Sequence, residues 1–195
     1  NAAQNCNGKK VYLRTAELLV ADAGAKAGKE AANAKDRVDQ HMAAACKKFK
    51  SKNQVWIAHI KWLVQDGRHK EANALVKRSM LSLPQHKQLE VMSKFAQFEY
   101  EFGSAERGRT VMEGLVEQNP KKLDLWYVFV DREVKVDLDF VRILFKKMIG
   151  AKFNDRAMKS TFKKWLKIEQ KWGTKATCAA VTKSAKEYVQ RAARS

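Results

Sequence analysis

Apolar residues recur at helical spacing along most of the chain. Trp56, Ile60 and Leu63 fall at positions i, i+4 and i+7, and Phe95, Phe98 and Phe102 fall at i, i+3 and i+7. This spacing predicts amphipathic helices, each with one face packed against a neighbouring helix. Only two prolines and nine glycines interrupt 195 residues. We therefore expect an ordered, all-α chain.

The helical pattern itself repeats, with a spacing of 34 or 36 residues between successive units. A first complete unit begins at Trp56, a second at Met92, a third at Trp126 and a fourth at Phe162. Matching positions of the first two units are Trp56 and Met92, Trp62 and Phe98, Gly67 and Gly103, Ala72 and Gly108, Leu75 and Val111, and Pro84 and Pro120. A repeat of this length predicts stacked helix-turn-helix units that form a right-handed α-solenoid.

The repeats predict the organisation of the chain. Four units cover about residues 54–89, 90–123, 124–159 and 160–195 and form one continuous solenoid. Residues 1–53 form a degenerate N-terminal repeat, with Tyr12 placed 44 residues before Trp56. The eight extra residues fall in the Ala-rich insertion ADAGAKAGKEAANAK, residues 21–35, which either adds a loop or lengthens the helices.

Glycines and prolines mark the predicted helix ends. Gly67, Gly103 and Gly173 each follow a first helix, where a residue of positive φ is most easily a glycine. Pro84 and Pro120 follow the second helices, because a proline pushes the preceding residue out of the helical region. Each unit is therefore predicted to be a pair of antiparallel helices.

The first helices match the half-a-TPR (HAT) variant of the TPR-like repeat. That pattern has an aromatic residue, a second aromatic residue three positions later and a glutamate seven positions after the first. Trp126, Phe129 and Glu133 fit it fully. The first unit has Leu63 in place of the glutamate. The glutamates are expected to pair with an adjoining helix, through Arg109 or Arg142. The predicted repeat-packing residues are Trp56, Phe95, Phe98, Glu99, Gly103, Trp126, Glu133, Phe162, Trp165 and Glu169.

One segment carries a more specific resemblance. Residues 94–135, KFAQFEYEFGSAERGRTVMEGLVEQNPKKLDLWYVFVDREVK, resemble the C-terminal repeat region of the ribosomal RNA processing protein five family, called programmed cell death protein eleven in animals. VRILFKKMI, FKKWLKIEQKWGT and AKEYV continue the similarity in order, so that it covers about residues 55–190. The Ala-rich insertion and Ser160-Thr161 depart from the family's pattern.

The resemblance implies a role in ribosome biogenesis. Members of this family are large nucleolar factors with a row of OB-type RNA-binding barrels followed by this helical region. They act in the early small-subunit pre-ribosome, the SSU processome, where they support cleavage of precursor rRNA. The implied partners are pre-ribosomal assembly proteins and pre-rRNA, and the implied location is the nucleolus within the nucleus.

The net charge of +18, with a pI near 9.9, favours a polyanionic partner. The charge is uneven along the chain. Residues 54–145 hold 14 Lys and Arg against 13 Asp and Glu, whereas residues 146–195 hold 14 against 3. Nucleic-acid contacts are therefore expected toward the C-terminus, and the balanced middle suits a protein partner better.

A lysine stripe on the fourth unit is the candidate RNA surface. Its four residues recur every fourth position, about 6 Å apart along a helix, where they repel one another unless an anion lies nearby. The alternative is a solvated face with no ligand. Aromatic residues are expected to be buried and unavailable for base stacking. The RNA-contact candidates are Lys159, Lys163, Lys167 and Lys171 of the stripe, with Arg156, Lys164 and Lys175 beside it.

No pattern in the chain indicates catalysis. The histidines lack metal-ligand spacing, and no nucleophile elbow, phosphate-binding loop or dinucleotide motif occurs. Cys6, Cys46 and Cys178 are far apart and indicate neither a disulfide framework nor a zinc site. No stretch predicts a membrane span or a signal peptide, and Asn1 in place of a methionine indicates a fragment. We expect no enzyme, cofactor or small-molecule ligand.

Two functional hypotheses remain open from the sequence. The first is a protein-docking scaffold that uses the long surface of a solenoid, with RNA contacts as its second role. The second keeps the repeat type but places the scaffold in the splicing or mRNA 3′-end processing machinery. The RNA bound in cells distinguishes these hypotheses.

Overall fold

Ten α-helices build the described part of the chain. The structure is a computed structural model that describes residues 8–151 and 153–192, and within these ranges it contains no β-strand. The all-α fold predicted from the helical spacing is confirmed. The helices are α1 (Gly8–Gly24), α2 (Gly28–Lys48), α3 (Asn53–Gln65), α4 (His69–Ser82), α5 (Gln85–Phe102), α6 (Ala105–Gln118), α7 (Leu123–Glu133), α8 (Leu138–Gly150), α9 (Asp155–Trp172) and α10 (Lys175–Ala192).

The chain divides into two compact units. Unit 1 is Asn1–Leu115 and unit 2 is Val116–Ser195, and helix α6 contains the division. Links of only two to four residues join consecutive helices. Helices that are consecutive in the chain and contact each other therefore run antiparallel. The four repeat boundaries remain predictions of the sequence pattern.

In unit 1, the helices pack as hairpins on one another. Helix α1 contacts α2, and α3 contacts α4; α3 also contacts α1 and α5, which gives a layer of first helices. Trp56, Ile60 and Phe95 are buried at 2% exposure or less. Indole Nε1 of Trp56 donates to the carbonyl oxygen of Lys50 at 2.8 Å, which satisfies the polar atom of this buried ring.

Unit 1 also decides between the alternatives for the Ala-rich insertion. Helices α1 and α2 have 17 and 21 residues, and only residues 25–27 separate them. The extra residues therefore lengthen the helices. Alanine has the highest helix propensity, and Ala23 and Ala34 are buried at positions where a small side chain lets helices approach.

Gly67 ends α3 with the conformation expected of a C-terminal glycine. Its φ is +76°, and its amide donates to the carbonyl oxygen of Val64 at 3.1 Å. The next amide, of Arg68, donates to the carbonyl oxygen of Leu63 at 2.8 Å. These two bonds form a Schellman motif, which satisfies carbonyl groups at the helix end.

The same explanation is wrong for Gly103 and Gly173. Their φ values are −112° and −100°, which side chains adopt without difficulty. Space is the reason for glycine there. A Cβ at Gly103 would overlap Oε2 of Glu99, and a Cβ at Gly173 would overlap Oε2 of Glu169 and lie 2.5 Å from Oγ1 of Thr177. These glycines leave room for a buried carboxylate four residues earlier.

Pro84 acts as expected on the residue that precedes it. Leu83 is extended, with φ −104° and ψ 143°, and α4 ends one residue earlier, at Ser82. Pro84 is also the N-terminal cap of α5, which therefore starts at Gln85, before the predicted start of the second repeat at residue 90. A proline at this place needs no amide hydrogen, so it can end one helix and begin another.

Unit 2 contains a chain of helix contacts in sequence order. Helix α7 packs against α8, α8 against α9, and α9 against α10. Phe129 and Phe145 are fully buried, and the ring of Phe145 stacks on Trp165 with centroids 5.2 Å apart. No helix in the described ranges has the length and apolar character that crossing a membrane requires.

Candidate functional site

Helix α9 carries the predicted RNA-contact lysines, and its ends are well defined. The side chain of Asn154, its N-cap, accepts a hydrogen bond from the amide of Ala157 at 2.9 Å. This cap satisfies one of the free amides at the helix start. At the other end, the amide of Gly173 donates to the carbonyl oxygen of Glu169 at 2.8 Å. The helix is a rigid support for its surface side chains.

The helix separates its packing side from its charged side. Met158, Phe162, Trp165 and Glu169 are buried. The four stripe lysines, Lys159, Lys163, Lys167 and Lys171, are all exposed. The structure thus places the stripe on the solvent side of α9, with the ammonium groups available to an anion.

Lys164 differs from the other candidates. Its Nζ lies 2.6 Å from Oδ1 of Asp131 on α7 and 5.0 Å from the ring centroid of Tyr127. The side chain is only 25% exposed. The ion pair with Asp131 and the partial burial distinguish Lys164 from the stripe lysines, so Lys164 holds α9 on α7 and is a weaker candidate for RNA contact.

The remaining candidates extend the positive surface at helix starts. Arg156 is exposed in the first turn of α9, and Lys175 is exposed at the first residue of α10. Helix N-termini are themselves positive, so both places favour an anion. Further exposed cations on α10 are Lys183, Lys186 and Arg191, whereas Arg194 lies outside the described residues.

An exposed tryptophan contradicts the expectation that all aromatics are buried. Trp172, the last residue of α9, is 54% exposed, and Nζ of Lys171 lies 4.7 Å from its ring centroid. The helical pattern places Trp172 close to the packing side, near Trp165, so the spacing alone does not predict that Trp172 is exposed. It is exposed because the helix ends there. An exposed ring beside lysines is a platform on which an RNA base can stack.

The buried Glu169 does not neutralise the stripe, because Arg142 of α8 already pairs with it. Arg142 donates from Nε to Oε1 at 2.8 Å and from Nη2 to Oε2 at 2.9 Å. These bonds lower the pKa of Glu169 to about 2, against the opposing effect of burial, with further bonds from Thr177 and Trp165. Glu169 is therefore a charged structural residue that joins α8 to α9.

The other two repeat glutamates are also buried. Glu99 accepts bonds from Nε of Arg107 at 2.9 Å and shares a 3.1 Å contact with Nδ1 of His69. Glu133 is fully buried. The predicted pairing through Arg142 is confirmed at Glu169. At Glu99 the partners are Arg107 and His69 and were not predicted, because the one-dimensional pattern does not show which side chains of α4 and α6 lie against α5.

A second basic cluster, residues 47–52, lies in unit 1. Lys48 lies over the rings of Tyr12 and Phe49, with its Nζ 5.0 Å and 5.8 Å from their centroids. Lys52 occupies the N-cap position of α3, without a capping hydrogen bond from its side chain. This cluster is therefore partly engaged in joining helices of its own unit.

The thiols and histidines form no metal site in the described ranges. Cys46 is buried, and burial raises the pKa of its thiol to about 12. Its Sγ lies 3.8 Å from Nδ1 of His59, another buried residue. Cys178 is half-buried, and Cys6 lies outside the described residues. No cluster of three or more potential ligands occurs where the structure describes the chain.

Comparison with known proteins relates the chain to rRNA biogenesis proteins. It is 35% identical over 189 residues to rRNA biogenesis protein rrp5 of Schizosaccharomyces pombe and 33% identical over 188 residues to rRNA biogenesis protein RRP5 of Arabidopsis thaliana, with 96% of the chain aligned in both cases. The homologous protein of Drosophila melanogaster is 26% identical over 190 residues. No family model matches.

The chain spans only a small part of these relatives. It covers 11%, 9% and 13% of the lengths of the fission yeast, Arabidopsis and Drosophila proteins. Nearly all of the chain aligns with proteins from a fungus, a plant and an insect, and its residues 94–135 resemble the same family. The chain therefore belongs to the RRP5 family of rRNA biogenesis proteins, of which it represents one helical segment.

Proposed function

We propose that this segment is a non-catalytic scaffold in ribosome biogenesis that docks pre-ribosomal assembly proteins and contacts pre-rRNA in the early small-subunit pre-ribosome. The relatives are named for rRNA biogenesis, which supports the process. Helical hairpins expose long surfaces suited to docking. The proposed location is the nucleolus.

The observation that carries the RNA contact is the charged side of α9. Lys167 and Lys171 are exposed on it, and Trp172 is exposed beside Lys171. Lysines bind RNA phosphates with release of counterions, and a neighbouring indole can stack on an unpaired base. Contact of this kind has little dependence on base sequence. Lys159, Lys163, Arg156 and Lys175 extend the same positive surface.

Crosslinking in cells tests this proposal. The protein would be crosslinked to RNA, and the bound RNA sequenced, for the wild type and for Lys167→Glu/Lys171→Glu. We expect pre-rRNA to dominate the wild-type sample and to be depleted in the variant. The matched control is Lys70→Glu/Lys77→Glu, which makes the same charge change at exposed positions of α4. Equal pre-rRNA recovery from both variants contradicts the α9 contact.

The alternative function is a scaffold of splicing or mRNA 3′-end processing. It predicts small nuclear RNA or polyadenylation factors in place of pre-rRNA in the same experiment. The repeat type is compatible with it, but the names of the relatives favour ribosome biogenesis. Enrichment of small nuclear RNA over pre-rRNA would establish the alternative.

A further inference from the structure

An open apolar groove of about 740 Å³ lies between α9 and α10, within unit 2. The two helices supply its walls, and Val181 to Val189 extend about 12 Å along α10, at 1.5 Å per residue. The ring centroids of Tyr188 and Phe162 are 5.8 Å apart, so an aromatic contact connects the two helices at the groove. The apolar lining residues are Phe162, Leu166, Val181, Ala185, Tyr188, Val189 and Ala192.

Little in unit 2 covers this groove. Val181 is the single buried residue of α10 in its described 18-residue span, whereas α8 buries Val141, Leu144, Phe145 and Met148. Val189 is 64% exposed. Contiguous apolar surface of this kind on a charged protein marks an interaction site.

The charge around the groove indicates what fits it. Lys159 and Lys163 of the α9 stripe line one rim, and Asp155 is the carboxylate among the lining residues, at the start of α9. Both lysines are exposed. An apolar floor beside a positive rim is complementary to a surface that is apolar in the centre and acidic at its edge.

Other occupants fit less well. RNA would place phosphates against apolar side chains that cannot pair with them. A second copy of this chain would bring its own lysine rim, in a protein of net charge +18, against the first. Pockets for small molecules have polar groups converging on the ligand, and here the lysines lie on a rim.

We infer that this groove binds an acidic amphipathic helix of another protein. The partner's apolar residues, at i, i+3, i+4 and i+7, lie on Phe162, Leu166 and Val189, and its carboxylates face Lys159 and Lys163. A groove of about 12 Å matches two to three helical turns. The inference rests on the proposed scaffold role and names the chemistry of one partner; it leaves Lys167, Lys171 and Trp172 for RNA.

Fluorescence anisotropy with a designed helical peptide of about 16 residues tests the inference. The peptide has a leucine stripe with glutamates on its remaining faces, and its matched control has lysines in place of the glutamates. We expect saturable binding of the acidic peptide only. Val189→Glu and, separately, Lys159→Glu/Lys163→Glu should each weaken it at least tenfold; all three positions are exposed, so folding is retained.

The control variant is Lys183→Glu/Lys186→Glu, which changes the same charge on exposed residues of α10 that do not line the groove. It should change the affinity less than threefold. Equal binding of both peptides, no effect of the groove variants, or no binding up to roughly 100 μM overturns the inference. An RNA oligonucleotide that displaces the peptide, and that no longer binds the Val189→Glu variant, would also overturn the inference, because RNA would then occupy the groove. RNA crosslinking that depends on Lys167 and Lys171 would remain intact in each case, which separates this failure from that of the proposed function.

Discussion

A glutamate and the glycine four residues later act together in this structure. Glu99 with Gly103, and Glu169 with Gly173, place a buried carboxylate at the end of a first helix, in the space that a Cβ would fill. Glycine is required by the neighbour's volume and not by its own φ. The sequence pattern therefore identified Gly103 and Gly173 correctly. It attributed them to a positive φ, whereas the reason is the space that the glutamate carboxylate needs.

Gly173→Ala should destabilise the protein by about 2 kcal/mol, because the added methyl group would overlap the Glu169 carboxylate and disturb its bond to Arg142. Urea denaturation at pH 7 measures the change. Gly114→Ala is the matched control, since Gly114 lies inside α6 with open space at its Cβ; it should stabilise by about 0.5–1 kcal/mol. Equal effects of the two substitutions would exclude the steric explanation.

His59 gives unit 1 a pH-dependent stability. Burial lowers its pKa from 6.5 to about 4, with Asp39 opposing the shift and Arg78 and Arg68 adding to it. Between these values the unfolded chain binds a proton that the folded chain does not, so acid favours unfolding. The free energy of unfolding should therefore be highest above pH 6.5 and fall by roughly 3 kcal/mol as the pH approaches 4.

Denaturation at a series of pH values between 6.5 and 4.5 tests this expectation. His59→Leu should remove most of the slope, since leucine does not titrate. His86→Gln, at an exposed histidine of α5, is the matched control. A His59→Leu protein with the slope of the wild type would show that another group is responsible.

Pairs of helices are joined by ion pairs of a buried glutamate with a partly exposed arginine, as well as by apolar packing. Arg142 of α8 holds Glu169 of α9 by two hydrogen bonds, and Arg107 of α6 holds Glu99 of α5. Directional bonds of this kind fix the register between two helices. Apolar contacts alone define that register less strictly, because they are not directional.

Arg142→Ala should destabilise the protein by about 3 kcal/mol at pH 7, because it leaves the Glu169 carboxylate buried without its cation. Urea denaturation measures the loss, and Arg156→Ala, at an exposed arginine of α9, should stay within about 0.5 kcal/mol of the wild type. Comparable losses in the two variants would contradict the role of the pair.

Acid should weaken the same pair. The pKa of Glu169 is about 2 in the folded chain, below its ordinary value of 4.5, so its stabilisation is complete above pH 4.5 and is lost as the pH falls toward 2. Glu169→Gln should remove this part of the acid dependence. An unchanged acid profile in that variant would refute the assignment.

Across the whole molecule, charge is divided by region. Residues 54–145 are nearly neutral and residues 146–195 carry an excess of eleven positive charges. Affinity for RNA should therefore depend on unit 2 and decrease with salt.

RNA binding measured from 50 to 200 mM salt tests this distribution. Each phosphate contact to single-stranded RNA contributes about 0.7 to the slope of log K against log salt concentration. Lys167→Glu/Lys171→Glu should reduce the slope by about 1–2, and Lys70→Glu/Lys77→Glu should change it little. A larger effect of the second variant would place the RNA surface in unit 1.

The fold was largely predictable from sequence, whereas the candidate site was predictable only in part. The repeat of 34 or 36 residues and the apolar spacing around Trp56 and Phe95 indicated helical hairpins, because apolar periodicity directly reports which helix face is buried. The lysine stripe followed from the same helix geometry. The pairing of Lys164 with Asp131 and the exposure of Trp172 did not, since both depend on which neighbouring helix lies near a given turn.

The sequence by itself determined the all-α fold, the order of its hairpins, the family and the basic character of the C-terminal quarter. The fold, the hairpin order and the basic character depend on local periodicity and composition, which one chain records directly, whereas the family follows from the resemblance of residues 94–135. Only the tertiary structure decided that Glu99 pairs with Arg107 and His69, which lysines remain available to RNA, and that α9 and α10 enclose an open apolar groove. The reason is physical: a side chain's environment is set by residues far away in sequence, whose positions are defined once the helices have packed.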